Sequence, residues 1–288
     1  MDVRAMAMGL AFAVMWSSAF TSARIIVADA PPLSALAIRF VLSGALAVAI
    51  AAAVGQDWRL TRAQARATVV FGVCQNALYL GLNFVAMQTV EAGLAAIVAS
   101  TMPLLVAFAG AALFGERIRA LGIAGLVAGV AGVAVIMGTR LSGGVDLYGL
   151  SLCGIGVLAL TFATLSVRGA SSGGNVLMVV GYQMLIGAAV LAAAALALET
   201  WEVRWSWRLI AAFAYTTLIP GLAATFVWFV LVRRIGAVRA ATFHFLNPFL
   251  GVAIAALILG EALGPLDWLG VAIIAAGILA VQVSKVRR

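Results

Sequence analysis

The sequence predicts an all-α integral membrane protein with ten transmembrane helices arranged as two inverted five-helix repeats. Three observations predict it. Of the 288 residues, 65% are hydrophobic and 10% charged, against roughly 45–50% and about 25% in soluble globular chains. Ten apolar runs each approach the roughly 20 residues that a helix needs to cross a hydrocarbon core of about 30 Å. The second half of the chain falls on the first when shifted by 145 residues. This composition, with a mean hydropathy of +1.16, excludes a soluble enzyme, a nucleic-acid binder and a disordered chain. The net charge of +8 offers no nucleic-acid surface, because the basic residues sit in short clusters between apolar runs. Cys74 and Cys153 each lie inside an apolar stretch. They are too few for a disulfide framework and lack metal-ligand spacing, so neither metal nor cofactor is expected.

The spans follow in order. Span 1 (5–27) is too long for a signal-peptide core, and no small-residue cleavage site follows it. Span 2 (33–54) carries Arg39 about six residues inside its outer end, roughly 9 Å deep at 1.5 Å per residue. Span 3 (67–87) carries Gln75, Tyr79 and Asn83 at four-residue intervals, with Asn76 beside them. Helical geometry puts this set on one stripe. Polar groups in hydrocarbon are costly, so the stripe reads as a cavity wall, with interhelical hydrogen bonding as the alternative. Span 4 (93–114) carries Pro103 about eleven residues in, where a missing N–H kinks a helix.

Span 5 (121–139) has Gly122, Gly125, Gly129 and Gly132 on one face. Such a face permits close helix approach. Span 6 covers 147–168, and span 7 (175–198) carries Tyr182 and Gln183. Trp201, Trp205 and Trp207 form an interfacial belt before span 8 (209–231), which carries Tyr215 and Trp228. Span 9 (238–259) carries His244, Asn247 and Pro248. Span 10 (266–284) repeats part of the glycine face with Gly270 and Gly277.

Loop charge sets the orientation. Assigned to alternate sides, one side collects Arg4, Arg59, Arg62, Arg66, Arg117, Arg119, Arg168, Arg233, Arg234, Arg239, Lys285, Arg287 and Arg288. The other collects only Arg24, Arg140, Arg204 and Arg208. Both termini are therefore expected in the cytoplasm. The bias persists along the whole chain, which supports the span count.

With the shift of 145, Pro103 meets Pro248, Gly115-Glu116 meets Gly260-Glu261, and Ala95-Ala96 meets Ala240-Ala241. Gly125 meets Gly270, and Ala131-Gly132 meets Ala276-Gly277. Nearer the start a shift of 144 pairs Ala19 with Ala163, Arg24 with Arg168 and Arg39 with Gln183. The repeats are assigned to residues 1–143 and 144–288. Five spans in each half require the second copy to enter from the opposite side. Inverted repeats of this kind recur in secondary transporters, where they flank a midplane site.

Taken with the paired Pro and Gly-Glu features, Trp16-Ser17-Ser18-Ala19-Phe20 and Pro31-Pro32 followed by Ala37-Ile38-Arg39-Phe40 carry a resemblance to a known family. The chain resembles the EamA family of the drug/metabolite transporter superfamily over essentially its whole length. Within that family it looks most like bacterial amino-acid exporters of the aromatic, YddG-like type. The resemblance implies a ten-helix basket in which spans 1–4 and 6–9 surround a central cavity, with spans 5 and 10 peripheral. It also implies a bacterial inner-membrane location and export of amino acids or similar small metabolites.

The candidate substrate-binding set is Trp16, Ser17, Gln75, Asn76, Tyr79, Asn83, Tyr182, Gln183, Trp228, His244 and Asn247. The candidate gating set is Pro103, Pro248, Arg39 and Glu91. Each has a plainer reading. The aromatic residues serve equally at the lipid interface, and proline in membrane helices commonly just shapes packing. His244 lacks a midspan acidic partner, so it reads as a hydrogen-bonded cavity histidine beside Asn247 and not as a proton relay. Arg39 is assigned to an ion pair with Asp29 or Glu91. Snorkelling to the headgroups and direct contact with a substrate carboxylate are its alternatives. The glycine faces of spans 5 and 10 are assigned to packing within a monomer, with a dimer seam as the alternative.

Among competing classes, a passive channel would conduct without saturating. An intramembrane hydrolase would need His244 paired with Ser100 or Ser151. Neither G-x-S-x-G nor H-E-x-x-H occurs in the sequence. The expected partners are a small-molecule substrate and membrane lipid, with no nucleic acid.

Overall fold

The computed structural model describes residues 3–115, 119–142, 144–166, 174–235, 240 and 242–286. Among these no strand occurs, as the bilayer requires of a chain whose backbone polar groups must be satisfied within helices. Helix α1 (Val3–Asp29) is followed by α2 (Pro32–Ala53), whose Pro32 occupies a first-turn position where no N–H is missed. Thr61 and Gln64 form a reciprocal capping box that starts α3 (Arg62–Phe71). The chain then widens into a π-helical segment, Gly72–Tyr79, and returns to α-helix in α4 (Leu80–Ala86). Next come α5 (Ala92–Ser100), α6 (Met102–Phe114) and α7 (Ala120–Ser142).

The second half repeats this order. It runs through α8 (Leu147–Ser166), α9 (Val176–Leu198) and α10 (Trp207–Thr216) to a second π segment, Thr217–Ala223. Then follow α11 (Ala224–Ile235), a 3₁₀ turn at Thr242–Leu246, α12 (Asn247–Leu259) and α13 (Pro265–Val286). Moving α3, the first π segment, α6 and α7 forward by 145 residues reproduces the starts of α10, the second π segment, α12 and α13. Both α6 and α12 end on a glycine in the left-handed region, Gly115 at φ +65° and Gly260 at φ +70°. That conformation terminates a helix at little steric cost only for glycine.

Eight stretches of the described residues are long and apolar enough to cross a membrane, and two shorter apolar helices, Phe243–Leu259 and Pro265–Val281, stand where spans 9 and 10 were expected. One expected boundary and two expected kinks are corrected. Span 3 begins at Arg62, because the Thr61 cap draws a further turn into the helix. Span 4 is broken at Thr101, and Pro103 is the second residue of α6, where its absent N–H has no intrahelical partner to lose. Pro248 takes the same place in α12. Both prolines restart a helix and do not kink its middle. Glu116, Arg117, Arg168, Arg239, Arg287, Arg288 and the repeat boundary at Gly143 lie outside the described residues.

The two halves meet through equivalent helices. In the contact of α7 with α13, a Cβ on Gly125 would lie 2.6 Å from the carbonyl oxygen of Gly277. A Cβ on Gly132 would lie 2.8 Å from that of Gly270. Only glycine permits this approach, so the glycine faces of α7 and α13 pack on each other inside one chain. Leu121, Ile123, Val127 and Val130 of α7 face outward, as a peripheral helix pair requires. Between the halves, Ile26, Leu36, Phe40, Ile97 and Val252 are buried in one apolar core.

Candidate functional site

A central cavity of about 320 Å³ lies between the halves. Its walls come from α1 (Phe12, Trp16, Phe20), α2 (Arg39, Phe40), the first π segment (Gln75, Asn76, Tyr79) and the α5–α6 break (Ser100, Met102, Pro103). The second half supplies α8 (Leu160, Thr164), α9 (Val180, Gln183, Met184), the second π segment (Pro220, Gly221), α11 (Thr225, Trp228), the 3₁₀ turn (His244) and the start of α12 (Asn247). The irregular backbone is therefore concentrated on the cavity: two π segments and two proline-restarted helices. Non-helical backbone at membrane depth is tolerated where protein or a wet cavity satisfies it. Hydrogen bonds from residue i to i+5 broaden the turn, and the first π segment presents Gln75, Asn76 and Tyr79 to the same space.

At one end the cavity is an aromatic box. The rings of Phe12 and Trp228 lie 4.8 Å apart, and His244 stands edge-on to Phe12 at 5.3 Å, to Trp228 at 5.2 Å and to Trp16 at 6.4 Å. Asn247 Nδ2 donates to His244 Nδ1 at 2.9 Å, and Ser17 Oγ donates to Asn247 Oδ1 at 3.5 Å. With Nδ1 accepting, Nε2 carries the imidazole proton. Ser17 thus stands behind the wall and orients Asn247.

On the opposite wall, Asn76 Nδ2 donates to the main-chain oxygen of Gln183 at 2.9 Å, which ties the first π segment to α9. Asn83 is buried behind Tyr79 and donates Nδ2 to the Tyr79 carbonyl at 2.8 Å. It borders a small extension of about 60 Å³ shared with Trp16, Phe20, Arg39, Tyr79 and Thr216. Arg39 borders both spaces. The expected pairing of Arg39 with Asp29 does not occur: the Asp29 carboxylate meets Arg204 at 3.2 Å. Among the described residues Arg39 Nε has no hydrogen-bond partner, while the guanidinium lies 5.0 Å from the centre of the Phe40 ring. The reason is position, because Asp29 lies at the helix end beside the loop that carries Arg204. Arg39 lies ten residues further along the chain, inside α2.

Backbone caps close the end of the molecule that carries Asp29 and Glu91. Glu199 accepts from the N–H groups of Leu33 and Ser34 at 2.7 and 2.8 Å, and Glu261 accepts from those of Ala92 and Gly93 at 2.7 and 2.8 Å. Burial raises the Glu261 carboxyl above the usual carboxylate range. Arg24 donates to the Met87 carbonyl, and Thr89 Oγ1 donates to Asp146 at 2.5 Å.

Eight of the candidate binding residues, Trp16, Gln75, Asn76, Tyr79, Gln183, Trp228, His244 and Asn247, are brought together around the cavity. Tyr182 is not among them. Its hydroxyl donates to the Trp58 carbonyl at 3.2 Å, and its ring lies in an outer groove with Leu60 and Thr68. Tyr182 and Gln183 are adjacent on α9, so their side chains diverge by about 100°. Pro248 is buried outside the cavity wall, and Glu91 immediately precedes α5. Tyr215 makes a 2.7 Å hydrogen bond to Ser18.

Sequence reading missed Phe12, Pro220, Gly221 and Thr225. The last three stand 145 residues after Gln75, Asn76 and Leu80, so the internal repeat held the signal. Phe12 lies one helical turn before Trp16 and on the same face.

The sequence profile of the EamA-like transporter family matches this chain twice, over residues 3–138 and 147–282. Over 282 residues the chain is 28% identical to the uncharacterised inner membrane transporter YedA of Escherichia coli, covering 94% of this chain and 88% of that one. An uncharacterised transporter of Synechocystis is 25% identical, with 90% and 83% covered, and YvbV of Bacillus subtilis is 24% identical, with 88% and 84% covered. A solved crystal structure superposes with a TM-score of 0.71 over the whole of both chains at 21% identity, which is a likeness of fold.

Proposed function

Because the chain belongs to the EamA-like transporter family, it is a membrane transport protein, and we propose that it exports amino acids across the bacterial inner membrane by alternating access. Aromatic and other neutral amino acids, or metabolites of similar size, are the proposed cargo. In this reading both termini face the cytoplasm and the second repeat is inverted relative to the first.

The observation that carries it is the cavity of about 320 Å³ between two halves of matching element order. Its walls are largely aromatic and aliphatic with a few convergent amides, the usual character of a small-molecule site. Proteins built on inverted repeats place such a site at the repeat interface and expose it alternately to each side. Movement is proposed to follow the solute gradient, because the acidic side chains nearest the cavity sit at helix ends in capping roles.

Organic cations are the second reading, favoured by the aromatic box and opposed by the charge of Arg39 in the same wall. The hydrolase reading finds little support. Ser100 Oγ donates to the Ala96 carbonyl at 2.6 Å, Ser151 Oγ to that of Tyr148 at 2.7 Å, and His244 is engaged by Asn247.

The deciding experiment is uptake into proteoliposomes across amino acids, sugars, nucleosides and organic cations. The expected result is saturable flux and counterflow of neutral amino acids. Variants Asn76→Ala, Tyr79→Phe and His244→Ala should lower flux about tenfold or more at unchanged expression, the loss that follows from removing one buried hydrogen-bonding group. Normal flux in all three variants would remove the cavity from the mechanism.

A further inference from the structure

The two halves make the same contact twice, with different chemistry. In one copy, Asn76 of the first π segment reaches across to α9, donates to the Gln183 carbonyl at 2.9 Å and packs on Gly187. The repeat offset carries Asn76 to Gly221, Gln183 to Arg39 and Gly187 to Ser43. A Cβ placed on Gly221 would lie 3.4 Å from Arg39 Nη2 and 3.7 Å from Ser43 Oγ, so this is the sister contact. Here the amide that seals the first copy is replaced by hydrogen, and the neutral Gln183 by a cation. Among the described residues Arg39 Nε and Ser43 Oγ are both buried without a partner.

A buried guanidinium without a counter-charge is expensive, because a cation at membrane depth needs an anion or water. Phe40 covers one face of the guanidinium. A ring engages the face of a guanidinium and leaves its in-plane N–H edge to acceptors. Asp29, the nearest carboxylate in sequence, is held by Arg204. Arg39 is only 6% exposed, yet it borders the cavity and its small extension.

We propose that Arg39, supported by Ser43, receives a carboxylate of the transported solute, so that the substrates are small monocarboxylates with an apolar or aromatic body. This rests on the carrier reading and narrows its substrate class. A planar carboxylate matches the guanidinium fork, two parallel N–H···O bonds at once. A phosphate dianion fits less well, because no second Lys or Arg lines the cavity among the described residues. The aromatic walls at Trp16 and Phe20 take the body of the solute.

The test uses the full chain in nanodiscs and matched probes that differ only at the carboxylate: phenylalanine with phenylalaninamide, and 3-phenylpropionate with 3-phenylpropionamide. Affinity is read by calorimetric titration. In the wild type each acid should bind about tenfold or more tightly than its amide, the ratio expected when a charge-assisted hydrogen bond is lost. Arg39→Gln should abolish that ratio, with Arg39→Lys intermediate. If Arg39→Gln does not fold, the wild-type ratios still decide. Equal affinity for acid and amide in the wild type, or failure of either acid to bind in the millimolar range, overturns the assignment. So does a ratio that survives Arg39→Gln, or displacement of the acids by equimolar chloride. Tight acid binding without vesicle flux would instead defeat the carrier reading, and flux of the acids that is insensitive to Arg39→Gln would defeat this one alone.

Discussion

Asp146 precedes α8 and accepts from the backbone N–H groups of Tyr148 and Gly149, both at 3.0 Å, and from Thr89 Oγ1. The Thr89 hydroxyl, with smaller help from those two N–H groups, lowers its carboxyl below the ordinary value. A depressed folded-state value means that the cap stabilises the fold above the unfolded pKa and is lost as pH falls through the folded one. Asp146→Ala should therefore lower the melting temperature in detergent at pH 7, and the gap from wild type should close as pH falls below about 4, the ordinary Asp value. A gap independent of pH would separate Asp146 from this role. The capping signal was legible, since Asp before an apolar run is a common helix start. Its Thr89 partner was not, because the two are 57 residues apart and meet only when α4 and α8 pack.

At the scale of elements, the ten apolar runs were legible and their interruptions were not. Hydropathy averages over about a full span, so it passes smoothly through Gly72–Tyr79, Thr101 and Thr217–Ala223, where hydrogen-bond register changes without a change in polarity. The α7–α13 seam makes a sharper prediction. Gly277→Val puts a side chain where a Cβ already lies 2.6 Å from the Gly125 carbonyl. It should destabilise the protein by about 1–3 kcal/mol, as overpacking does, seen as a lower thermal midpoint. Gly154 has nothing within 4 Å of its Cβ position, so Gly154→Ala should be neutral. Equal behaviour of the two variants would show that the seam is not tightly packed.

For the molecule as a whole, carboxyl and amide side chains fasten helix starts across the repeat boundary. Glu199 of the second half caps α2 of the first, and Gln56 of the first caps α9 of the second through the N–H groups of Leu177 and Met178 at 3.0 and 3.2 Å. Glu261 caps α5 in the same manner. The Glu199 and Glu261 ties lie at one end of the bundle and the Gln56 tie at the other, the length of α2 away, so the proposed carrier would have to release the first two to open that end. Glu261→Ala should speed hydrogen exchange at the Ala92 and Gly93 amides about tenfold, the effect of losing roughly 1.4 kcal/mol of protection. Unchanged exchange would mean that another contact holds this end shut.

By itself the sequence determined the membrane class, the approximate spans, the two-fold repeat and the membership of a transporter family. Each depends on composition or on self-similarity along the chain, which need no coordinates. The tertiary structure decided which polar side chains share a space. It turned Gln183 inward and Tyr182 outward, gave Asp29 to Arg204 in place of Arg39, and spent the glycine faces on each other. The physical reason is range. A helix fixes its own residues through bonds four or five positions away, whereas the partners at this cavity are more than a hundred residues apart, and only packing of one half on the other selects them.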